Sequence, residues 1–370
     1  MRQPRHLARA RGLRPALVAL SLAVLALPGG ALAQDASPDT QELRPLSVGL
    51  GYIPSVQFAP FYLAQTSGMY ADAGLDVTLQ NQIDPDLITL IGQGAVDIGL
   101  GDGTSVIAAR SQGIPIRYVA GIYARFPSVV VANAASGIAA PADLQGTRLG
   151  TPGRYGSGWI MLQALLSSAG LTTDDLEVTL YPDFGQAAGL VQGQVDAITG
   201  FVNNEPIAVA RQGITPNVLT VDDIVPLPGN GLVTGESTLA ARHDDLAAFV
   251  AVTLEAMDAI SANPQLGLDA TFQVVPELAA DPDLQLAILQ ATIDAWHSHL
   301  TDAQGLGAID PADWTASIEF MASMPDSSVG SLTADQIVTT ELLPAPAAST
   351  APAASTAPAA TAAPGASPAS

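Results

Sequence analysis

Two stretches of the chain repeat one another: Gln93-Gly94-Ala95-Val96-Asp97-Ile98-Gly99-Leu100-Gly101 and Gln192-Gly193-Gln194-Val195-Asp196-Ala197-Ile198-Thr199-Gly200. Each follows an amphipathic run, Leu87 to Gln93 or Phe184 to Gln192, and a glycine just past the last turn is a common helix stop. A short apolar run then follows, Val96 to Leu100 or Val195 to Thr199, with the length and β-branched content of a strand. The unit reads helix, glycine turn, buried strand, polar loop. The two loops are Gly101-Asp102-Gly103-Thr104-Ser105 and Gly200-Phe201-Val202-Asn203-Asn204-Glu205. Open α/β sheets place ligands in such loops, at the carboxyl ends of parallel strands. One copy would be a commonplace helix-to-strand connection; two imply similar lobes facing one cleft.

Outward from the repeat, the chain alternates strands and helices. Strands are expected at 45–53, 75–80 and 116–122 on one side, and at 128–132, in the short run ending at Gly150, at 177–181 and at 218–221 on the other. Helices are expected from Pro60 to Ser67, Pro85 to Gly92, Thr104 to Gln112, Trp159 to Ser168, Asp183 to Gln192 and Glu205 to Gln212. The second lobe opens near Arg125, and Gly231-Leu232-Val233-Thr234-Gly235 crosses back. Beyond Arg242 the spacing turns helical over Leu246–Ile260, Asp283–His297 and Pro311–Met324, and these helices are expected to pack on the first lobe.

The ends differ in kind from this middle. Residues 1–33 read as a signal peptide: Arg2, Arg5, Arg9, Arg11 and Arg14 precede the apolar run Ala16–Leu27, and Ala31-Leu32-Ala33 offers a small-x-small cleavage site. The run is too short to span a bilayer. No cysteine follows the cleavage site, so no lipid anchor of the lipoprotein kind is expected, and the chain is expected in the periplasm or outside the cell. Residues 34–44 read as a linker. Residues 341–370 read as a disordered tail, since Pro344–Ser370 holds only Pro, Ala, Ser, Thr and one Gly. The expected layout is thus lobe 1 over 45–124, lobe 2 over 125–230, and a return to lobe 1 with the C-terminal helices over 231–340.

Composition excludes several functions. The chain has no cysteine and therefore no disulfide framework. Its basic residues are all arginine, so no lysine Schiff base can form. Beyond Ala33, eight arginines face all 35 acids, a formal charge of −27, which would repel a phosphate backbone and argues against nucleic acid as a partner. No metal site is expected: His297 and His299 stand two apart on a helix and do not share a face.

Gly-Tyr-Ile-Pro-Ser-x-Gln-Phe-Ala-Pro-Phe-Tyr-Leu-Ala at 51–64, Gly68-Met69-Tyr70, Gly74-Leu75-Asp76-Val77 and Gly94-Ala95-Val96-Asp97 resemble the SsuA and Thi5-like (NMT1/THI5-like) family. The resemblance covers roughly residues 45–300. It implies an α/β type II periplasmic-binding-protein fold and a monomeric solute-binding protein that works with an ABC permease, with no cofactor. Gly153-Arg154-Tyr155-Gly156-Ser157-Gly158-Trp159 and Asn203-Asn204-Glu205-Pro206 are most similar to the riboflavin-binding branch. Binders of thiamine pyrimidine precursors and of alkanesulfonate or taurine remain as alternatives, as does a dehydratase-like enzyme using Asp102 or Glu205. The pyrimidine-synthase chemistry implied by the Thi5 side uses a lysine and a cysteine-rich segment, and both are missing here.

A two-lobed binder closes on its ligand with groups from both lobes and the crossing. The expected contributors are Tyr52, Gln57, Phe58, Asp102 and Thr104 from the first lobe, and Tyr123 and Arg125 at the crossing. The second lobe is expected to supply Arg154, Tyr155, Ser157, Trp159, Asn203, Asn204 and Glu205. Thirteen of the 18 aromatic residues fall between Tyr52 and Phe201, which favours a planar ring held by stacking; Phe61, Tyr62, Tyr118 and Phe184 are assigned to the core. Asn and Glu side chains match the donors and acceptors of a heterocycle edge, though one of the two asparagines would also serve as a helix cap. Gly153 to Gly158 also reads as an anion cradle at a helix start.

Overall fold

A computed structural model describes residues 42–345 except 85, 325, 326 and 328. The expected signal peptide, most of the linker, and the tail beyond residue 345 lie outside the described residues. Among the described residues, ten strands form two five-stranded sheets. The first holds β1 (Arg44–Leu50), β2 (Leu75–Asn81), β3 (Ile98–Asp102) and β4 (Ile116–Gly121). The second holds β5 (Ser128–Asn133), β6 (Arg148–Thr151), β7 (Glu177–Leu180), β8 (Ala197–Phe201) and β9 (Pro216–Leu219). The chain then returns to the first sheet through β10 (Asn230–Gly235).

The strand orders are β2-β1-β3-β10-β4 and β7-β6-β8-β5-β9. Each sheet therefore has one antiparallel strand in the same place: β10 beside β3 in one, β5 beside β8 in the other. These two strands follow the crossings between lobes.

The repeat explains the likeness atom by atom. Gly94 and Gly193 take positive φ of 72° and 68°, a turn at which a Cβ would be strained. The aspartate three residues on then docks the central strand against its parallel neighbour, β1 in one sheet and β6 in the other. Asp97 Oδ2 accepts from the Ser47 amide at 2.8 Å and the Ser47 hydroxyl at 2.7 Å. Asp196 Oδ2 accepts from the Arg148 amide at 3.0 Å. Both strands start later than the hydrophobic run suggests, at Ile98 and Ala197, because Asp97 and Asp196 are occupied in this docking and Val96 and Val195 plug the core beneath the turn.

The helices after Arg242 pack against the first sheet. Those at His243–Ala262, Pro264–Val274 and Pro282–Trp296 join the core of the first sheet through Phe249, Met257, Leu268 and Trp296. The helix at Pro311–Ser323 closes the other face of that sheet with Trp314 edge-on to Tyr118. The Pro264–Val274 helix is absent from the sequence reading. The Gly156–Ser168 helix starts three residues before the expected Trp159, for a reason found in the cleft.

Candidate ligand cleft

A cavity lies between the two sheets, lined from both lobes. From the first come Gly51 and Tyr52 after β1, Gln57 and Phe58 on a 3-10 turn, Ile83 and Asp84 after β2, and Leu100 and Asp102 on β3. Tyr123 and Asn230 line it at the crossings. From the second come Thr151 to Gly153 and Tyr155 to Gly158 at and after the end of β6, Phe184 and Gln186 after β7, and Thr199 to Phe201 with Asn204 and Glu205 around the end of β8. Most of these groups sit past the carboxyl ends of parallel strands, as the topology requires.

Asp102 is the cap of two helices. Its Oδ1 accepts from the amide and the hydroxyl of Thr104 at 2.9 and 2.8 Å, capping its own helix at Gly103–Ser111. Its Oδ2 reaches across the cleft to the Ser157 amide at 2.6 Å. The Gly156–Ser168 helix of the second lobe has no side-chain cap of its own at Tyr155, so the first lobe supplies one. The anion cradle read at Gly153–Gly158 is thereby filled by the protein's own carboxylate. Burial pushes the Asp102 carboxyl up from its ordinary range, partly offset by Ser157 and Thr104.

Glu205 occupies the second-lobe counterpart. Its Oε2 accepts from the Phe201 amide at 2.6 Å, and its Oε1 from Gln186 Nε2 at 3.2 Å. A Cβ at Gly200 would lie 2.5 Å from the Glu205 side chain, so only glycine admits the carboxylate here. Burial raises the Glu205 carboxyl to about 7, against the pull of the Phe201 amide. Asp84 is likewise raised to about 7, first by burial and then by Asp102 beside it. The Ser105 hydroxyl donates to Asp84 Oδ2, and Oδ1 has no hydrogen-bond partner.

A third polar chain joins the lobes behind the cavity. Tyr123 Oη donates to Gln57 Oε1 at 3.0 Å, and Asn203 Nδ2 donates to Tyr123 Oη at 3.2 Å and Thr292 Oγ1 at 2.8 Å. The Pro282–Trp296 helix, which the sequence assigns to packing alone, thus also contacts the second lobe. Aromatic rings meet across the opening: Tyr52 and Phe184 stand edge to face with centroids 5.0 Å apart.

Nine of the fourteen expected residues line the cavity: Tyr52, Gln57, Phe58, Asp102, Tyr123, Tyr155, Ser157, Asn204 and Glu205. Five do not. Thr104 is fully buried with its hydroxyl given to Asp102. Asn203 is fully buried in the network with Tyr123 and Thr292. Trp159 packs on the second-lobe core, with the Arg154 guanidinium 5.4 Å over its ring. Arg154 is exposed on the outside of that turn. Arg125 is exposed and lines a separate hollow behind the crossing with Asp222, Asp294 and His297. Of the two asparagines, Asn204 takes the N-cap position, and its side chain makes no capping bond.

The sequence reading misses Asp84, Phe184 and Gln186. Phe184, assigned to the core, belongs to the cavity wall, and it is the one described non-glycine residue with positive φ, at 61°. The turn Tyr181–Phe184, closed by the Phe184 amide on the Tyr181 carbonyl at 2.9 Å, aims its ring at Tyr52. Phe61, Tyr62 and Tyr118 are core as expected. Asp84 follows β2 in a parallel sheet, and that position is the signal that would have found it.

Known proteins resemble this chain in both sequence and fold. The NMT1/THI5-like family matches residues 55–266. The riboflavin-binding protein RibY of Chloroflexus aurantiacus is 33% identical over 300 residues, covering 80% of this chain and 84% of that one. The formylaminopyrimidine-binding protein of Halalkalibacterium halodurans is 28% identical over 265 residues, 68% of this chain and 77% of that one. The 4-amino-5-hydroxymethyl-2-methylpyrimidine phosphate synthase of Aspergillus parasiticus is 25% identical over 232 residues, 59% and 67%. Among solved structures, the periplasmic aliphatic sulphonate binding protein SsuA of Escherichia coli superposes with a TM-score of 0.56 at 18% identity, over 67% of this chain and 83% of that one. The fold is that of the type II periplasmic binding proteins.

Proposed function

The chain belongs to the NMT1/THI5-like family, and on that premise we propose that it is an exported solute-binding protein that carries riboflavin or a related flavin to the permease of an ABC importer. The observation that carries this reading is the cavity wall. Tyr52 and Phe184 approach from opposite lobes, and Phe58, Tyr123, Tyr155 and Phe201 add further rings. Closure would hold a planar ligand by its faces and edges. Gln186, whose Oε1 has no hydrogen-bond partner, lies beside Glu205 on the same wall and can pair with a donor on the polar edge of a heterocycle. The 33% identity to RibY points the same way.

The Glu205–Gln186 pair would also serve a pyrimidine, and the 28% identity to a formylaminopyrimidine-binding protein favours this second reading. Catalysis is not part of the proposal, since the chain has neither the lysine nor the cysteines that the synthase chemistry uses. Export rests on the basic and apolar run of residues 1–33; among the described residues no helix is long and apolar enough to cross a membrane.

Titration of the purified chain with riboflavin is the test. Flavin fluorescence is expected to be quenched and the melting temperature to rise. Silence to riboflavin at micromolar concentration, with a shift for a pyrimidine precursor, would replace the first reading by the second.

A further inference from the structure

The formal charge lining the cavity is all carboxylate. Asp84, Asp102 and Glu205 line it, and no arginine or histidine does. The three acids differ in what they leave for a ligand. Asp102 spends one oxygen on Thr104 and the other on Ser157. Glu205 spends one on Phe201 and the other on Gln186. Of the three acids only Asp84 keeps an oxygen without a partner; the carboxamide oxygens of Asn230 on its own lobe and of Gln186 on the other are unpartnered too. A buried acceptor left unpaired is costly until a donor reaches it.

Phosphate offers only acceptors at neutral pH, and it is usually held by arginine or by a helix N-terminus. Of the helices that start at this cavity, Gly103–Ser111 and Gly156–Ser168 are both capped by Asp102, Glu205–Arg211 opens on a carboxylate of its own, and the six-residue helix Gln186–Val191 has no side-chain cap. A hydroxyl or an amino group has what these oxygens lack.

We infer that the cavity selects the uncharged, hydroxyl-bearing form of its ligand and rejects the phosphorylated form, with Asp84 as the residue that sets this preference. The inference rests on the flavin reading above. It identifies the ligand class as the free vitamin, with its sugar-alcohol chain toward Asp84, and excludes the 5′-phosphate.

The experiment titrates the full chain and Asp84→Asn with riboflavin, with flavin mononucleotide and with lumichrome, which has the ring but no hydroxyl chain. Wild type is expected to bind riboflavin at least about 100-fold more tightly than flavin mononucleotide, and about 10-fold more tightly than lumichrome. Asp84→Asn, which keeps the shape and cannot ionise, is expected to narrow the riboflavin-to-mononucleotide ratio about 10-fold at about pH 8, where the wild-type carboxyl is mostly charged, with no fall in melting temperature. Equal binding of riboflavin and its phosphate overturns the inference and leaves the flavin reading standing. An unchanged ratio in Asp84→Asn removes Asp84 from it. Silence to all three ligands overturns the flavin reading and the inference together.

Discussion

Asp102 and Ser157 lie 55 residues apart and on different lobes, yet the carboxylate of one caps the helix that begins beside the other, at 2.6 Å. A hydrogen bond from an amide to a carboxylate between lobes favours the closed arrangement by the margin that remains after the hydration both partners would regain on opening. Asp102→Asn keeps an acceptor for Thr104 and turns an amide donor toward the Ser157 amide. Ligand affinity is expected to fall about 10- to 100-fold, and the radius of gyration in the presence of ligand to rise. Unchanged affinity with an unchanged scattering profile would show that this contact does not hold the lobes together.

The repeated aspartates should behave differently from the cleft acids. Asp97 accepts from Ser47 twice and pairs with Arg242 at 2.9 Å. Asp97→Ala is expected to cost about 2–3 kcal/mol of stability. Asp196 shares its load with a half-exposed Arg148, and Asp196→Ala is expected to cost only about 1 kcal/mol. Neither lines the cavity, so both variants should keep wild-type affinity for ligand. Denaturant melts and a binding titration on the same samples check this; a lost affinity in either would make the repeat part of the site.

Much of this architecture is legible in the sequence because it follows local rules. The glycine stops, the apolar strands and the doubled Gln-Gly-x-Val-Asp unit all depend on residues near one another in the chain. The Pro264–Val274 helix was legible too: Asn263-Pro264 is a capped start, with Asn263 accepting from the Gln265 amide at 3.2 Å. The start of the Gly156–Ser168 helix was not, because its cap is residue 102. The same cause separates the site residues. Gly-rich and polar loops announce where a ligand sits, but they do not say whether Asn203 points into the cavity or back to Thr292. Arg154 looked like an anion ligand beside its glycines, and only the fold shows that it rides over Trp159.

Phe184 tests whether strain is kept for the sake of the wall. A phenylalanine at positive φ costs about 1–2 kcal/mol. Phe184→Gly removes both the ring and the strain. The variant is expected to bind riboflavin about 10-fold more weakly while melting no lower than wild type. A ring needed only for packing would show the opposite pattern, with stability lost and affinity kept.

The acids of the cavity should also set how stability depends on pH. Burial raises the Glu205 carboxyl from its ordinary 4.5 to about 7 in the folded chain. The folded state then binds this proton more tightly than the unfolded state does, and unfolding releases it between those two values. The stability gained from the neutral group is fully present below the ordinary value and is lost as pH rises through about 7. Asp84 acts with the same sign. The high net negative charge also weakens the fold as pH rises, so the wild-type curve alone does not isolate Glu205. Glu205→Gln does: the amide keeps the shape and cannot titrate. Between pH 5 and pH 8 the stability of wild type relative to Glu205→Gln is expected to fall by on the order of 2 kcal/mol, read from denaturant melts at each pH. Parallel curves for the two proteins would mean that Glu205 titrates in the folded chain as it does in water, and that the wall around it is wetter than its hydrogen bonds to Phe201 and Gln186 imply.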